Sequence, residues 1–404
     1  MEKLMSLVGL ASMVGIAYLL SGNKKKIQWK PVISGILLQI LFGLLILKTT
    51  AGQAVFEGAR NFFTAILGYT NEGSAFIFGG LTDPAKFGFL FFTMVLPTII
   101  FMSSLMSVLY HIGIMQIVIK FTAKIMVRVM GTSGAESLAA AANIFAGQTE
   151  APLVIKPYIE KMTRSELMAL MTGGMATVAG GVLAAYVGMG IDAGHLLAAS
   201  VMSAPAALVM AKLLVPETEE SSTKGVVKID FPKTTVNLVD AAASGAADGL
   251  KLALNVGGML LAFIALIALV NGSLSLVGGW FSFPQLSLEL ITGYLFAPIA
   301  FLMGVPWSEC VQVGALLGKK TIINEFVAYL DLQQQLTTLS PRSVIIATYA
   351  LCGFSNFSSI AIQIGGIGTI APERRQDLAA LGMKSLIGGT LACLMTACIA
   401  GLFI

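Results

Sequence analysis

The chain has 404 residues, of which 56% are hydrophobic and only 11% charged, with a formal net charge of +4. A soluble domain carries roughly 25% charged residues, so a water-soluble globular protein is excluded; the basic residues are scattered at the edges of apolar runs, and no nucleic-acid partner is expected. Apolar runs near the roughly 20 residues that cross a bilayer recur throughout, whereas the short alternating strands of a membrane β-barrel are absent.

In chain order, residues 4–20 and 31–47 read as the first two spans. The first has no A-x-A cleavage pattern and is followed by Lys24, Lys25 and Lys26, the pattern of an anchor helix rather than a removed signal peptide. Next, Phe56, Phe63 and Leu67 recur at helical spacing among polar residues, which predicts an interfacial amphipathic helix. After a span at 87–110, Lys120, Lys124 and Arg128 put one basic face on an apolar surface helix over 112–130. Further spans fall at 196–215, 252–270 and 378–404. Cys310, Cys352, Cys393 and Cys398 sit in apolar segments and read as buried thiols. His111 and His195 lack ligand-type spacing, so neither a zinc nor a haem site is expected.

Charge position predicts orientation. If Lys24–Lys26 and Lys30 hold the first loop in the cytoplasm, the cytoplasmic segments also collect Lys120, Lys124, Arg128, Lys156, Lys161, Arg164, Lys212, Lys224, Lys228, Lys233, Arg374 and Arg375. The external segments keep few: Lys3, Lys48, Arg60, Lys86 and Arg342. The expectation is eight crossings of a cell (inner) membrane with both termini outside.

The polar stretch "PETEESSTKGVVKIDFPKTT" divides the remainder into two similar halves. In the first, a span leads to "GTSGAES", an apolar run, "GQTE" and a Gly-rich span. In the second, a span leads to "GVPWSEC", an apolar run, "NEF" and "IIATYALCGFSNFSSIAIQIGG". Glu136 precedes Glu150 by 14 residues and Glu309 precedes Glu325 by 16; Thr177 and Ser355 follow by 27 and 30. The runs ending at Glu150 and Glu325 are too short and polar-tipped to cross, so each reads as a re-entrant hairpin. Each half then crosses three times, which makes the second an inverted copy of the first. Such inverted repeats with interrupted helices point to a transporter site near the bilayer midplane. The expected architecture is an all-α polytopic membrane protein with two re-entrant hairpins and broken fourth and seventh helices. Its parts are a two-helix scaffold with interfacial helix (1–86), a first repeat (87–215), a cytoplasmic linker with amphipathic segment (216–249) and a second repeat (250–404).

Four polar clusters lie in apolar surroundings: Asn143 with Gln148, Thr149 and Glu150; Thr177 with Gly180 and Gly181; Asn324 with Glu325; and Ser355, Asn356, Ser358 and Ser359. A carboxylate at the centre of a lone spanning helix costs about 2.5–3.5 kcal/mol, so both glutamates must face protein or water. Any single Ser or Thr here reads first as interhelical hydrogen-bond glue, whereas Glu150 and Glu325, at matching places in two repeats, read as functional. Only Lys319 and Lys320 bring cations near these clusters, which argues against an anionic substrate. Amides, hydroxyls and carboxylates suit a neutral ligand, and a carboxylate pairs naturally with a vicinal diol. A sugar-bearing heterocycle satisfies both.

The stretches "GQTEAPLVIKPYI", "MATVAGGVLAAY", "INEFVAY" and "CGFSNFSSIAI" resemble the concentrative nucleoside transporter family, with similarity from about residue 87 to the C-terminus and more loosely through the first two spans. The resemblance implies eight spans, two re-entrant hairpins, broken fourth and seventh helices and a homotrimer. It implies that Gln148, Thr149 and Glu150 read the nucleobase edge with Val182 packing on the base. Glu325, Asn356 and Ser359 would bond the ribose, Phe354 would lie against the nucleoside, and Leu252 would add apolar contact. For the coupling ion it implies Asn143 and Thr177 side chains with the carbonyls of Ala146 and Val178; Thr177 stands where the family pattern has Ser. Sodium is the expected ion, with a proton as the alternative, and no organic cofactor is implied. Purine and pyrimidine preference is left open. A membrane-embedded enzyme would want a nucleophile beside a base or paired acids on a metal, and neither pattern occurs.

Overall fold

The computed structural model describes residues 1–225 and 235–404, and helices dominate them, with no strand among the described residues. Among the described residues, seven helical segments are long and apolar enough to cross a membrane. They comprise α1 (Glu2–Leu19), α2 (Trp29–Lys48) and the segment Phe91–His111, whose main helix is α4 (Leu96–His111) after α3 (Thr50–Phe78). The apolar segment Arg164–Gly188 is interrupted, and α11 (Ala193–Leu214), α12 (Leu238–Trp280) and α18 (Arg375–Phe403) complete the seven. One further crossing, the seventh in chain order, is a pair of short helices, α16 (Pro341–Leu351) and α17 (Phe357–Ile370), separated by an unwound stretch. The fourth crossing is likewise two helices, α9 (Arg164–Ala176) and α10 (Gly180–Gly188).

Between these lie the hairpins. Hairpin 1 runs up α6 (Gly134–Ala142), turns, and returns through α7 (Ala151–Val154) and α8 (Lys156–Ile159). Hairpin 2 runs up α14 (Cys310–Ile322) and returns through α15 (Glu325–Gln335). Pro152 sits in the first turn of the returning arm, where its missing N–H costs nothing.

Contacts at the two ends fix the inversion. At one end, Gly134 N–H donates to Thr223 O (2.9 Å) and Gly22 N–H to Leu214 O (3.0 Å). There too the Arg374 guanidinium donates to the carbonyls of Ile159, Glu160 and Met162 at 3.2, 3.1 and 2.6 Å. Both arms of hairpin 1 are therefore rooted beside the loops after the first, fifth and seventh crossings. At the other end, Arg342 pairs with Glu2 (3.2 Å) and donates to the carbonyls of Gly304, Gly401 and Ile404. Ser340 donates to Glu309 at that same end (2.8 Å). Both termini and the root of hairpin 2 lie there, so the two repeats are inverted.

α5 (Ile114–Met130) bears out the basic surface helix: Lys120, Lys124 and Arg128 are exposed while Met115, Ile119, Ala123, Met126 and Met130 are buried. The amphipathic helix is α3, whose buried face is Ala59, Phe63, Ile66 and Thr70. Phe56 fills the space left by Gly194, where a Cβ would collide with its ring. Lys228 and Lys233 lie outside the described residues.

α12 has 43 residues and is about 65 Å long, twice the roughly 30 Å hydrocarbon core, and it runs without interruption through residue 250. α4 packs on it through a seam of small residues. A Cβ at Gly245 would lie 2.6 Å from Ser107 Cβ, and one at Gly249 would lie 2.8 Å from Ile100 Cα. Small residues permit that approach where lipid supplies no hydrophobic drive for helix association. By contrast α9 to α11 and most of α18 are buried, and α13 (Leu288–Leu302) packs closely on hairpin 2.

Candidate functional site

Hairpin 1 turns where polar side chains replace alanine. α6 starts with a capping box, Ser133 and Glu136, and ends at Asn143. Beyond it the Glu150 carboxylate accepts the Gly147 N–H, closing the turn locally. Gln148 is buried, and its Nε2 donates to Ser359 Oγ at 3.1 Å while its Oε1 has no partner among the described residues. Two glycines make room: a Cβ on Gly174 would lie 2.9 Å from Gln148 Cβ, and one on Gly366 2.8 Å from Thr149 Cγ2.

Hairpin 2 supplies the second acid. Asn324 caps α15 by accepting the Val327 N–H (2.9 Å), which presents Glu325 in the first helical turn. The buried Glu325 carboxylate accepts from Tyr186 Oη at 3.2 Å and from Asn356 Nδ2 at 2.9 Å. Asn356 in turn caps α17, its Oδ1 accepting from Ser359 N–H (2.9 Å) and Ser358 Oγ (2.7 Å). Ser359 thus links the Gln148 tip to the Glu325 tip.

The lysines on hairpin 2 are structural. Lys319 pairs with Glu289 (3.0 Å) and with Asp331 on the returning arm. Lys320 is buried and donates to Ala350 O (2.8 Å) in the last turn of α16, where a cation meets the negative end of a helix. Neither lysine lines the cavity between the tips.

A third cluster lies beside the fourth-crossing break. Asn143 is wholly buried, and neither its Oδ1 nor its Nδ2 has a partner among the described residues. A Cβ on Gly173 would stand 2.7 Å from that Nδ2, so only glycine admits the amide there. Thr177 Oγ1 donates to Gly173 O (2.9 Å) and keeps its lone pairs. The break is pinned to both repeats: Gly180 N–H donates to Phe145 O (2.9 Å), and Phe354 N–H to Thr177 O (3.2 Å). Val178 is fully buried in this break and Ala146 in the facing turn. A buried amide left unpaired is costly unless something else satisfies it. An oxygen-coordinated hard cation fits Asn143 and the neighbouring carbonyls.

The tips enclose a cavity of about 170 Å³ lined by Gln148, Thr149, Glu150, Val182, Leu252, Glu325, Phe354, Asn356 and Ser359 among others. All nine residues expected to contact substrate line this one space. A second cavity of about 500 Å³ adjoins it through Thr149, Glu150, Ala179 and Leu252. It reaches His111 and Thr235, at the end where hairpin 1 is rooted. Ligand cavities usually span roughly 300–1,000 Å³, so a ligand between the tips would share some of the adjoining space.

Sequence reasoning passed over Tyr186, which completes the Glu325 shell, and Gln363, which is buried behind Gln148 and donates to Met171 O (3.0 Å). Tyr186 lies one helical turn after Val182, a spacing that could have flagged it. Gln363 sits in "IAIQIGG", the one amide in an apolar helix.

Inverted repeats whose hairpin tips and broken helices converge on a buried polar cavity define a secondary membrane transporter. The model for "Na+ dependent nucleoside transporter C-terminus" matches residues 195–401, its N-terminal counterpart residues 8–81, and "Nucleoside recognition" residues 92–193. An "Uncharacterized transporter" of Haemophilus influenzae is 50% identical, covering 100% of this chain and 98% of the relative. "Solute carrier family 28 member 3" of Rattus norvegicus is 45% identical over 99% of this chain, which spans 59% of that longer protein. Among solved structures, CNTnw in an inward-facing substrate-bound state matches with a TM-score of 0.95 at 48% identity over 100% of this chain and 98% of that one. A CNTnw double variant in an outward-facing state matches at 0.96 and 47% identity, over 100% of this chain and 98% of that one. The chain belongs to the Na+-dependent, concentrative nucleoside transporter family, a family of transporters and not of enzymes.

Proposed function

We propose that this protein imports nucleosides by symport with a sodium ion, carrying both between the two sides of the cytoplasmic membrane by alternating access. The observation that carries the reading is the joining of both carboxylate tips through Ser359, beside a buried Asn143 whose amide has no partner among the described residues. Gln148, Thr149 and Glu150 read the base edge, with Val182 against its face. Glu325, Asn356 and Ser359 bond the ribose, Phe354 and Leu252 supply apolar contact, and Asn143, Thr177, Ala146 and Val178 hold the ion.

The basic end faces the cytoplasm, which puts both termini outside and makes the larger cavity an inward-facing vestibule. The working unit is a homotrimer in the bilayer. One charge moving inward through about 120 mV yields roughly 2.8 kcal/mol, and a roughly tenfold sodium gradient adds about 1.4 kcal/mol. Their sum supports accumulation near a thousandfold, so one ion per nucleoside suffices.

Uptake of uridine, adenosine and guanosine into proteoliposomes, with and without a sodium gradient and with choline replacing sodium at several pH values, tests this. Sodium-dependent accumulation above equilibrium is expected. Accumulation driven by a proton gradient in choline would replace sodium by a proton, and no accumulation of any nucleoside would overturn the reading.

A further inference from the structure

The larger cavity holds a set of polar groups that binding between the tips does not use. One wall is made by α4 and α12, packed together through Gly245 and Gly249. On α4, Ser103, Ser107 and Tyr110 recur at i, i+4 and i+7 and line the cavity; on α12, Asp248, Leu252 and Asn255 do so with the same spacing. Each set is therefore one helical stripe facing the same space. The opposite wall is hairpin 1, with Phe145, Thr149, Glu150 and Leu153.

Two polar atoms on this path are unsatisfied. The Tyr110 hydroxyl and Gln116 Oε1 are buried and have no partner among the described residues. Gln116 is held in place by its own Nε2, which donates to Tyr110 O at 2.6 Å. His111 Nδ1 lies 2.6 Å from Thr235 Oγ1 at the mouth, so that histidine is already occupied. Asp248 and Lys251 lie at the exposed rim of the wall as a loose pair (3.6 Å), both largely in solvent. A phenol donor, an amide acceptor and serine hydroxyls face the Glu150 carboxylate across a space of about 500 Å³, with Phe145 and Met106 as apolar surface. That donor and acceptor set suits a neutral heterocycle bearing hydroxyls and does not suit an anion.

We propose that this cavity is a second, weaker binding position for the transported nucleoside. In it the Tyr110 hydroxyl and Gln116 Oε1 take over hydrogen bonds that the ligand gives up when it leaves the hairpin tips, and Glu150 serves both positions. The inference rests on the nucleoside reading above. Its physical reason is that a polar ligand leaving Gln148 and Glu325 passes Thr149, Glu150, Ala179 and Leu252, the residues common to both cavities, and loses the hydrogen bonds of Gln148 and Glu325 unless groups further along replace them.

The test uses full-length protein labelled with 3-fluorotyrosine, the Tyr110 fluorine resonance being assigned by its loss in Tyr110→Phe. Uridine titration of the wild type should move that resonance in two phases. In Glu325→Gln, which disables the tip site, only the weaker phase should remain. Tyr110→Phe should lower sodium-driven turnover about two- to tenfold, the worth of one neutral hydrogen bond, and leave the tighter dissociation constant unchanged. Saturable uridine binding to wild type with a Tyr110 resonance that stays still in Glu325→Gln overturns the vestibule position and leaves the transport reading intact. No saturable binding of uridine, adenosine or guanosine to wild type overturns both.

Discussion

The backbone N–H of Phe354 donates to the carbonyl of Thr177 at 3.2 Å, so the breaks in the fourth and seventh crossings form one joint. The polar cluster proposed to hold the ion and the Phe354 wall of the cavity proposed to hold the ligand are thereby held by the same hydrogen bond. Gly353 makes the approach possible, since a Cβ there would lie 2.8 Å from Met175 O. Under the proposed roles, a ligand that orders Phe354 would also order the turn that presents Thr177, a physical route for coupling ion and substrate binding.

Thr177 tests that coupling. Its hydroxyl donates to Gly173 O, leaving oxygen lone pairs for a cation. Thr177→Val keeps the shape and removes the oxygen; Thr177→Ser keeps the oxygen and removes a methyl. The valine variant should raise the sodium concentration for half-maximal uptake at least about tenfold, equivalent to about 1.4 kcal/mol, with serine close to wild type. A valine variant with an unchanged sodium curve would remove Thr177 from the ion site.

Tyr186 orients Glu325 from behind, so Tyr186→Phe should weaken uridine binding without moving sodium dependence. A hydrogen bond to a charged group is worth about 1.5–3 kcal/mol, which sets the expected loss at roughly ten- to a hundredfold in affinity. Equilibrium binding in saturating sodium measures it. An affinity within experimental error of wild type would show that Asn356 alone positions the carboxylate.

Gly174 is a steric test of hairpin 1. A methyl there would stand 2.7 Å from Gln363 Nε2 and 2.9 Å from Gln148 Cβ, with Gln148 Cα at 3.2 Å. Crowding a packed interior costs about 1–3 kcal/mol, most easily relieved here by displacing the tip. Gly174→Ala should therefore fall in uridine affinity by about tenfold or more while reaching the membrane in normal amounts. Wild-type affinity in that variant would mean that Gln148 does not hold the ligand.

Much of this architecture is legible in the amino-acid sequence. Crossings and hairpins follow from hydropathy and the matched spacing of Glu150 and Glu325, because burying a carboxylate in lipid is costly enough to leave a pattern. The cavity residues were legible for the same reason. What spacing could not disclose was pairing across the fold. The Glu136 of hairpin 1 and Lys212 at the end of α11 are 76 positions apart, and nothing local marks them as partners. Lys319 and Lys320 looked anomalous because their partners, Glu289, Asp331 and Ala350 O, come from three other helices. The length of α12 was hidden because its first turns carry ordinary polar residues, and only packing on α4 shows that the helix starts so early.

The Lys212 cluster yields the last prediction. Lys212 is buried, 2.6 Å from Glu136 and 3.3 Å from Glu217, and donates to Ser165 Oγ at 3.0 Å. Around it the linker straps the root of hairpin 1: Thr223 takes the N–H groups of Gly134 and Ala135, Ser221 donates to Glu166, and Glu217 accepts from Thr163. Removing one member of a buried charge set leaves the others uncompensated, at about 3–5 kcal/mol, whereas removing opposite charges together is far milder. Lys212→Met should therefore lower the temperature at which detergent-solubilised protein loses its size-exclusion peak. Adding Glu136→Gln, which keeps the acceptor for Ser133 N–H, should restore much of the loss. Because large membrane proteins unfold irreversibly, all variants must be heated for the same time. A Lys212→Met protein as heat-resistant as wild type would mean the cluster is solvated and contributes little; a double variant no better than the single would mean that packing of the lysine stem, rather than its charge, holds the strap.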